Sequence, residues 1–137
     1  MSKLIMLIED TALHQKLFTI WLQMDGHVVH VVADERMAHT EAVNVRPDLI
    51  IADIRLPHMD GKDVIRMLKS RAETRHIPIV VLTVLNSRED QEACLAAGAD
   101  TFLNKDTRRT DLLDTVRRFG TDRQPVPIGG SASSPGS

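Results

Sequence analysis

The chain holds a single cysteine, Cys94, among 137 residues. One thiol excludes an internal disulfide framework and fits a reducing compartment. Neither sign of charge is in excess: 17 lysines and arginines stand against 19 aspartates and glutamates, a net charge of -2. That balance speaks against indiscriminate affinity for nucleic acid or for a membrane surface. Long hydrophobic runs are missing too, and no stretch approaches the roughly 20 apolar residues that cross a bilayer. Met1-Ser2-Lys3 leads straight into a short apolar run, without the longer apolar region and small-residue cleavage site of a signal peptide. No helix-turn-helix, zinc finger or basic-aromatic interleaving offers a carrier for direct DNA recognition. The expectation is a soluble, cytoplasmic protein with no membrane contact and no direct nucleic-acid contact.

What is present suffices for one well-packed domain: 42% of the residues are hydrophobic. Leu4 to Ile8 and Leu49 to Ala52 are apolar without alternation, the pattern of strands buried on both faces. Val28 to Val32 is β-branched but interrupted by His30, which suggests an edge or half-exposed strand. Ile79 to Leu82 and the short Thr101-Phe102-Leu103 complete five strands. Helical spacing fills the gaps. Leu13, Leu17, Ile20, Trp21 and Met24 share one side of a first helix that stops at Gly26. Asp34 caps a second helix carrying Ala38, Ala42 and Val45, which Pro47 ends. A third runs from about Gly61 to Ser70 with Val64, Ile65 and Leu68 inward. A fourth, capped by Asn86 or Ser87, carries Ala93, Ala96 and Ala97 and stops at Gly98. The last spans roughly Arg108 to Phe119, with Leu112, Leu113, Val116 and Phe119 on one face and Gly120 after it. Strands alternating with helices over short links predict a doubly wound α/β domain with a parallel sheet. The expected domain covers residues 1–120, and residues 121–137, rich in Pro, Gly and Ser, read as a flexible tail.

The candidate chemistry lies at strand ends. Glu9 and Asp10 follow the first strand and Asp53 closes the third. In a doubly wound sheet the C-terminal edge is where ligands bind. Clustered carboxylates raise one another's proton affinity, and a divalent cation relieves that cost. An all-oxygen set with few protein ligands suits Mg²⁺, which keeps several waters. Thr83 closes the fourth strand and Lys105 follows the fifth, so both reach the same edge. An ammonium and a hydroxyl beside acids suit a transferred phosphoryl group.

Glu9-Asp10, Asp53 with Leu56-Pro57 and Asp60-Gly61, Thr83, and Phe102-Leu103-Asn104-Lys105, in this order and spacing, resemble the receiver domain of bacterial two-component response regulators. The resemblance covers about residues 3 to 119. It implies a flavodoxin-like fold: a five-stranded parallel sheet in 2-1-3-4-5 order with five helices. It implies that Asp53 accepts a phosphoryl group from a histidine kinase or histidine phosphotransfer protein, that Asp10, Asp53 and the Arg55 main-chain carbonyl bind Mg²⁺ directly, and that Glu9 acts through water. Thr83 and Lys105 would contact phosphoryl oxygens, and Thr83 with Phe102 would form the switch. Such a protein is a phosphoacceptor with self-catalysed transfer and slow autodephosphorylation, not a conventional enzyme. A downstream effector protein, or a homodimer through the helix four, strand five and helix five face, would read the phosphorylated state.

Four departures from the family pattern bear on these expectations. Asp106 stands where a proline usually follows the lysine, commonly after a cis bond. That leaves the Lys105-Asp106 link either trans or strained, with Lys105 less well placed. Val84 follows Thr83 where a smaller residue is usual. Arg55 and Leu85 occupy positions that modulate loss of the phosphoryl group, and they favour a long-lived signal. His14 lies near the acids at a place open to a partner. Of the remaining groups, His27, His30, His39, His58 and His76 read as mostly exposed, Cys94 as a small packing residue, and Arg108, Arg109, Arg117 and Arg118 as a solvated basic face. Two alternatives remain: a receiver module of a longer regulator with a DNA-binding or cyclic-dinucleotide output, or an interaction module that is not phosphorylated. A metal-dependent phosphatase would want a second acid where Arg55 stands.

Overall fold

The computed structural model describes residues 2–83 and 88–119. Its strands are β1 (Leu4–Ile8), β2 (Val28–Val32), β3 (Leu49–Asp53), β4 (Ile79–Thr83) and β5 (Thr101–Asn104). Its helices are α1 (Ala12–Met24), α2 (Ala38–Val45), α3 (Gly61–Ser70), α4 (Arg88–Ala97) and α5 (Arg109–Arg118), with a short 3-10 helix at Glu35–Met37. The strands form one parallel sheet in the order β2-β1-β3-β4-β5. This is the doubly wound, flavodoxin-like arrangement expected. β2 is one of the two edge strands, and its partly exposed burial pattern explains how His30 is tolerated within it.

Alternate residues of the central strands feed two cores. Met6, Ile8, Ile50, Ala52 and Val81 pack with Ala38 and Ala42 of α2, Val64, Ile65 and Leu68 of α3, and Cys94 and Ala97 of α4. Ile5, Leu7, Leu49, Ile51, Val80 and Leu82 pack with Phe18 and Leu22 of α1 and with Leu112, Leu113 and Val116 of α5. The period-2 geometry of a strand sends neighbouring side chains to opposite faces, so one apolar run serves both layers. Cys94 is buried as packing, and burial raises its thiol pKa.

Two expectations about faces need correction. In α1 the sequence stripe is not the buried one: Leu13 is 71% exposed and Met24 62% exposed, and Ile20 is exposed too. Phe18 and Leu22 are buried instead, with Leu17 and Trp21 half-buried at the boundary. Apolar residues surround much of this helix, and its docking angle on the sheet selects the side. In α4, Cys94 and Ala97 face inward while Ala96 is exposed.

Caps follow the expected chemistry with one refinement. Asp34 accepts the Arg36 N–H at 3.0 Å and so caps the 3-10 helix that precedes α2. Gly98 follows α4 with φ +120°, a conformation L side chains rarely adopt. The expected cap at Asn86 or Ser87, Val84, Leu85, and the segment from Gly120 onward lie outside the described residues. Among the described residues no helix is long and apolar enough to cross a membrane.

Candidate functional site

Sheet register carries the chemistry to one rim. Ile8 lies beside Ala52, Asp53 beside Leu82, and Thr83 beside Asn104. Glu9, Asp53, Thr83 and Lys105 therefore leave adjacent strands at the same level. Pairing continues one residue past β5, where Lys105 N–H donates to the Thr83 carbonyl at 2.9 Å.

The polar side chains here are buried. Glu9 is 0% exposed, Asp53 4% and Thr83 2%. Lys105 Nζ lies 2.7 Å from Asp53 Oδ2 and 3.0 Å from Glu9 Oε1. Burial works to lower the lysine pKa, but hydrogen bonds to Asp53 and Glu9 and their charges outweigh it and raise the value above that of an ordinary lysine. The ammonium is thus firmly charged. Asp53 is held at its other oxygen too, since Oδ1 accepts the Arg55 N–H at 3.0 Å. Glu9 Oε2 accepts the Thr11 N–H at 3.1 Å. Glu9 Oε1 is buried against the Lys105 ammonium at 3.0 Å. Asp10, the third acid, is exposed.

Glu9, Asp10 and Asp53 place carboxylate oxygens within 4.8 Å of one another. Two buried acids and one exposed acid facing a single ammonium leave negative charge in excess. This all-oxygen donor set fits a hard divalent cation such as Mg²⁺.

The loop after Asp53 is closed at its base. Gly61 N–H donates to the Ile54 carbonyl at 3.0 Å, and Arg55 bridges to Asp60. Asp60 caps α3 by accepting the Lys62 N–H at 2.9 Å. A Cβ on Gly61 would meet the Ile54 carbonyl oxygen at 2.5 Å, so the close approach requires glycine. That is the physical content of the Asp60-Gly61 pair.

The structure resolves the question raised by Asp106. No peptide bond is cis among the described residues, so the Lys105-Asp106 link is trans. Asn104 shapes the turn instead, its Oδ1 accepting the Asp106 N–H at 2.8 Å and its carbonyl the Thr107 N–H at 2.9 Å. Lys105 reaches both acids without a proline after it. Phe102 is half-buried against the core that contains Met6 and Val81. The Arg55 side chain is exposed, and His14 stacks on Phe18 with ring centroids 5.7 Å apart.

The histidines depart from their expected exposure. His27 is buried, His30 and His39 are half-buried, and only His58 and His76 are exposed. His27 Nδ1 accepts the Lys3 N–H at 3.1 Å. The basic face of α5 is solvated as expected, Arg108, Arg109, Arg117 and Arg118 all being exposed, and Arg117 also pairs with Asp25 at 2.9 Å and with Asp114 at 3.1 Å, linking α5 to the end of α1.

One residue near the site escaped sequence reading. Glu35, 0% exposed, sits in the link between β2 and α2 and reaches the loop after Asp53. Its Oε2 accepts the N–H groups of His58 and Met59, and His58 Nδ1 lies 3.2 Å from Oε1. Desolvation opposes ionisation, but these backbone hydrogen bonds hold the carboxyl below its ordinary pKa. Asp34, Glu35 and His58 also bring metal-type donor atoms within 4.8 Å. Here hydrogen bonds account for the donors, because the Arg36 guanidinium occupies Asp34 and loop N–H groups occupy Glu35.

Comparison with known proteins agrees with this geometry. The polar-differentiation response regulator DivK of Brucella anthropi is 30% identical over 119 residues, covering 87% of this chain and 97% of its own length. A receiver domain of a sensor histidine kinase from Pseudomonas aeruginosa is 33% identical with a TM-score of 0.80, covering 87% of this chain and 98% of its own. That structure has a magnesium ion coordinated in its active-site cleft. The chemotaxis protein CheY4 of Vibrio cholerae is 28% identical with a TM-score of 0.81, covering 87% of this chain and 99% of its own. Residues 5–117 match the response regulator receiver domain. The chain therefore belongs to the response regulator receiver family and serves phosphorelay signalling as a phosphoacceptor.

Proposed function

We propose that Asp53 is the phosphoacceptor, that Lys105 and Thr83 contact the transferred group, and that Asp10, Asp53 and the Arg55 main-chain carbonyl hold Mg²⁺, with Glu9 acting through water. The observation that carries this reading is the contact of Lys105 Nζ with Asp53 and Glu9 in one buried setting at the C-terminal rim. The donor is a phosphohistidine on a histidine kinase or phosphotransfer protein. A carboxylate oxygen of Asp53 attacks phosphorus in line, the P–N bond breaks, and the imidazole leaves with the electron pair. The product is an acyl phosphate.

Asp53 enters the step as a carboxylate paired with the Lys105 ammonium, so no general base is required. When bound, Mg²⁺ supplies charge neutralisation for the acids and the phosphoryl oxygens. Lys105 is anchored at Asp53 before transfer, so it meets the incoming group with little reorganisation. Thr83, at the end of β4, then offers a hydroxyl hydrogen bond to the new dianion. Movement of Thr83 and rotation of Phe102 would transmit the charge change to α4 and β5. Arg55, exposed beside the acceptor, is placed to shield the product. Residues 1–120 would form the receiver unit, and the face of α4, β5 and α5 would meet an effector or a second copy.

Incubation with Mg²⁺ and a small-molecule phosphodonor, followed by intact mass, tests the chemistry. Wild type gains one phosphoryl group and Asp53→Asn gains none. Equal uptake by both proteins would place the acceptor elsewhere.

A further inference from the structure

Glu35 belongs to a different connection from Asp53, yet its carboxylate is buried against the tip of the acceptor loop. The base of that loop is fixed by Gly61 N–H on the Ile54 carbonyl and by the Arg55 to Asp60 bridge. Its tip is fixed by Glu35, which gathers the His58 and Met59 N–H groups at one oxygen and faces the His58 imidazole with the other. Arg55 belongs to the base anchor, and Glu35 holds the same loop three and four residues further on. Burying a carboxylate is costly unless hydrogen bonds to it are made. The bonds from positions 58 and 59, 23 and 24 residues away in the chain, provide that compensation. Charge-assisted bonds of this kind are stronger than neutral ones, so the tip is tied more firmly than packing alone would tie it.

We infer that Glu35 is a positioning residue for the acceptor site: by pinning the 54–60 loop it presents the Arg55 carbonyl to the divalent cation. This rests on the proposed metal ligands above. Glu35 touches neither the ion nor the phosphoryl group. Its effect is to spare the ion the cost of ordering the loop. Loss of an outer hydrogen bond that orients a ligand commonly lowers metal affinity by about tenfold or more.

Two readouts test the inference. Calorimetric titration with Mg²⁺ reads affinity without any phosphoryl transfer, and the Mg²⁺ concentration for half-maximal phosphoryl uptake reads it through the reaction. Glu35→Ala is expected to weaken Mg²⁺ binding about tenfold in both, while uptake at saturating Mg²⁺ changes much less. Glu35→Gln keeps an oxygen for the two N–H groups but loses the charge, and is expected to fall between wild type and Glu35→Ala. Glu35→Asp keeps the charge but withdraws it by one methylene, and it carries the test at a several-fold loss if the alanine variant does not fold. Wild-type Mg²⁺ affinity in a folded Glu35→Ala or Glu35→Asp protein would overturn the inference, whatever the change in melting temperature. Failure of wild type to take up a phosphoryl group at Asp53 would instead sink the proposed chemistry, while the calorimetric comparison would still decide the role of Glu35.

Discussion

Lys105 pairs one ammonium with two acids, Glu9 and Asp53, both almost wholly removed from water. Removing one partner of a buried ion pair leaves the other uncompensated, at a cost of about 3–5 kcal/mol. Lys105→Met should therefore lower the unfolding free energy by roughly 3 kcal/mol in the presence of a chelator. Mg²⁺ should restore part of that loss, since a ligand that binds only the folded state stabilises it by mass action. Urea unfolding with and without Mg²⁺ measures both effects. A larger Mg²⁺ stabilisation in the variant than in wild type is the expected result, and an equal one would show that the lysine and the ion do not share the same acids. Glu35 makes the opposite use of charge: a lone buried carboxylate organised by backbone N–H groups rather than by a cation.

Among the elements, α1 shows how packing overrides a stripe. The helix has apolar residues on more than one side, and two faces compete for the sheet. Phe18 and Leu22 fill the space against Ile5, Leu7 and the α5 residues Leu112 and Val116. Phe18→Ala should cost about 3–5 kcal/mol through a cavity that the neighbours only partly close. Ile20→Gln and Met24→Gln should each stay within about 0.5 kcal/mol of wild type, because these side chains already face water. Chemical denaturation of the three variants measures the contrast. A large loss at Met24 would mean the helix docks on its other side. The turn after β5 gives a second example: a side-chain amide at Asn104 shapes the chain where a proline was expected to matter.

On the scale of the whole molecule, carboxylates paired in the folded state set the response to acid. Hydrogen bonding to Arg117 depresses the Asp25 carboxyl, hydrogen bonds from Arg36 lower Asp34 to about 2, and Glu35 is lowered against its own desolvation by the loop N–H groups. Folded pKa values below unfolded ones stabilise the protein fully above the unfolded values, near pH 4, and this stability is lost as pH falls through the folded values. Lys105 has the opposite sign, its share complete below about pH 10 and lost as pH rises through its raised value. Melting temperature should therefore fall on acidification below about pH 4, chiefly through Glu35, because solvent screens the surface pairs of Asp25 and Asp34. Glu35→Gln should show a shallower acid limb than wild type, and an unchanged limb would remove Glu35 from the set of groups that drive acid unfolding.

Much of this was legible along the chain because the signals were local. Unbroken apolar runs of four or five residues are too short for helices and fit strands buried on both faces, helical spacing lay between them, and strand-end residues of a parallel sheet share a rim. Asp53, Glu9, Thr83 and Lys105 were recognisable on that ground alone. Glu35 was not, since an acid after a capping aspartate looks like any solvated helix-start residue. Its burial depends on a loop 23 residues away closing over it. Nor could the stripe on α1 identify its own inward face, which only contact with β1, β3 and α5 selects. The amino-acid order thus determined which elements form and which chemical groups stand at their ends, because hydrophobic period and turn chemistry act over a few residues. Tertiary structure alone decided which helix face is dry, how Lys105 divides itself between two acids, and that Glu35 holds the acceptor loop, because burial and charge pairing arise only when distant segments meet.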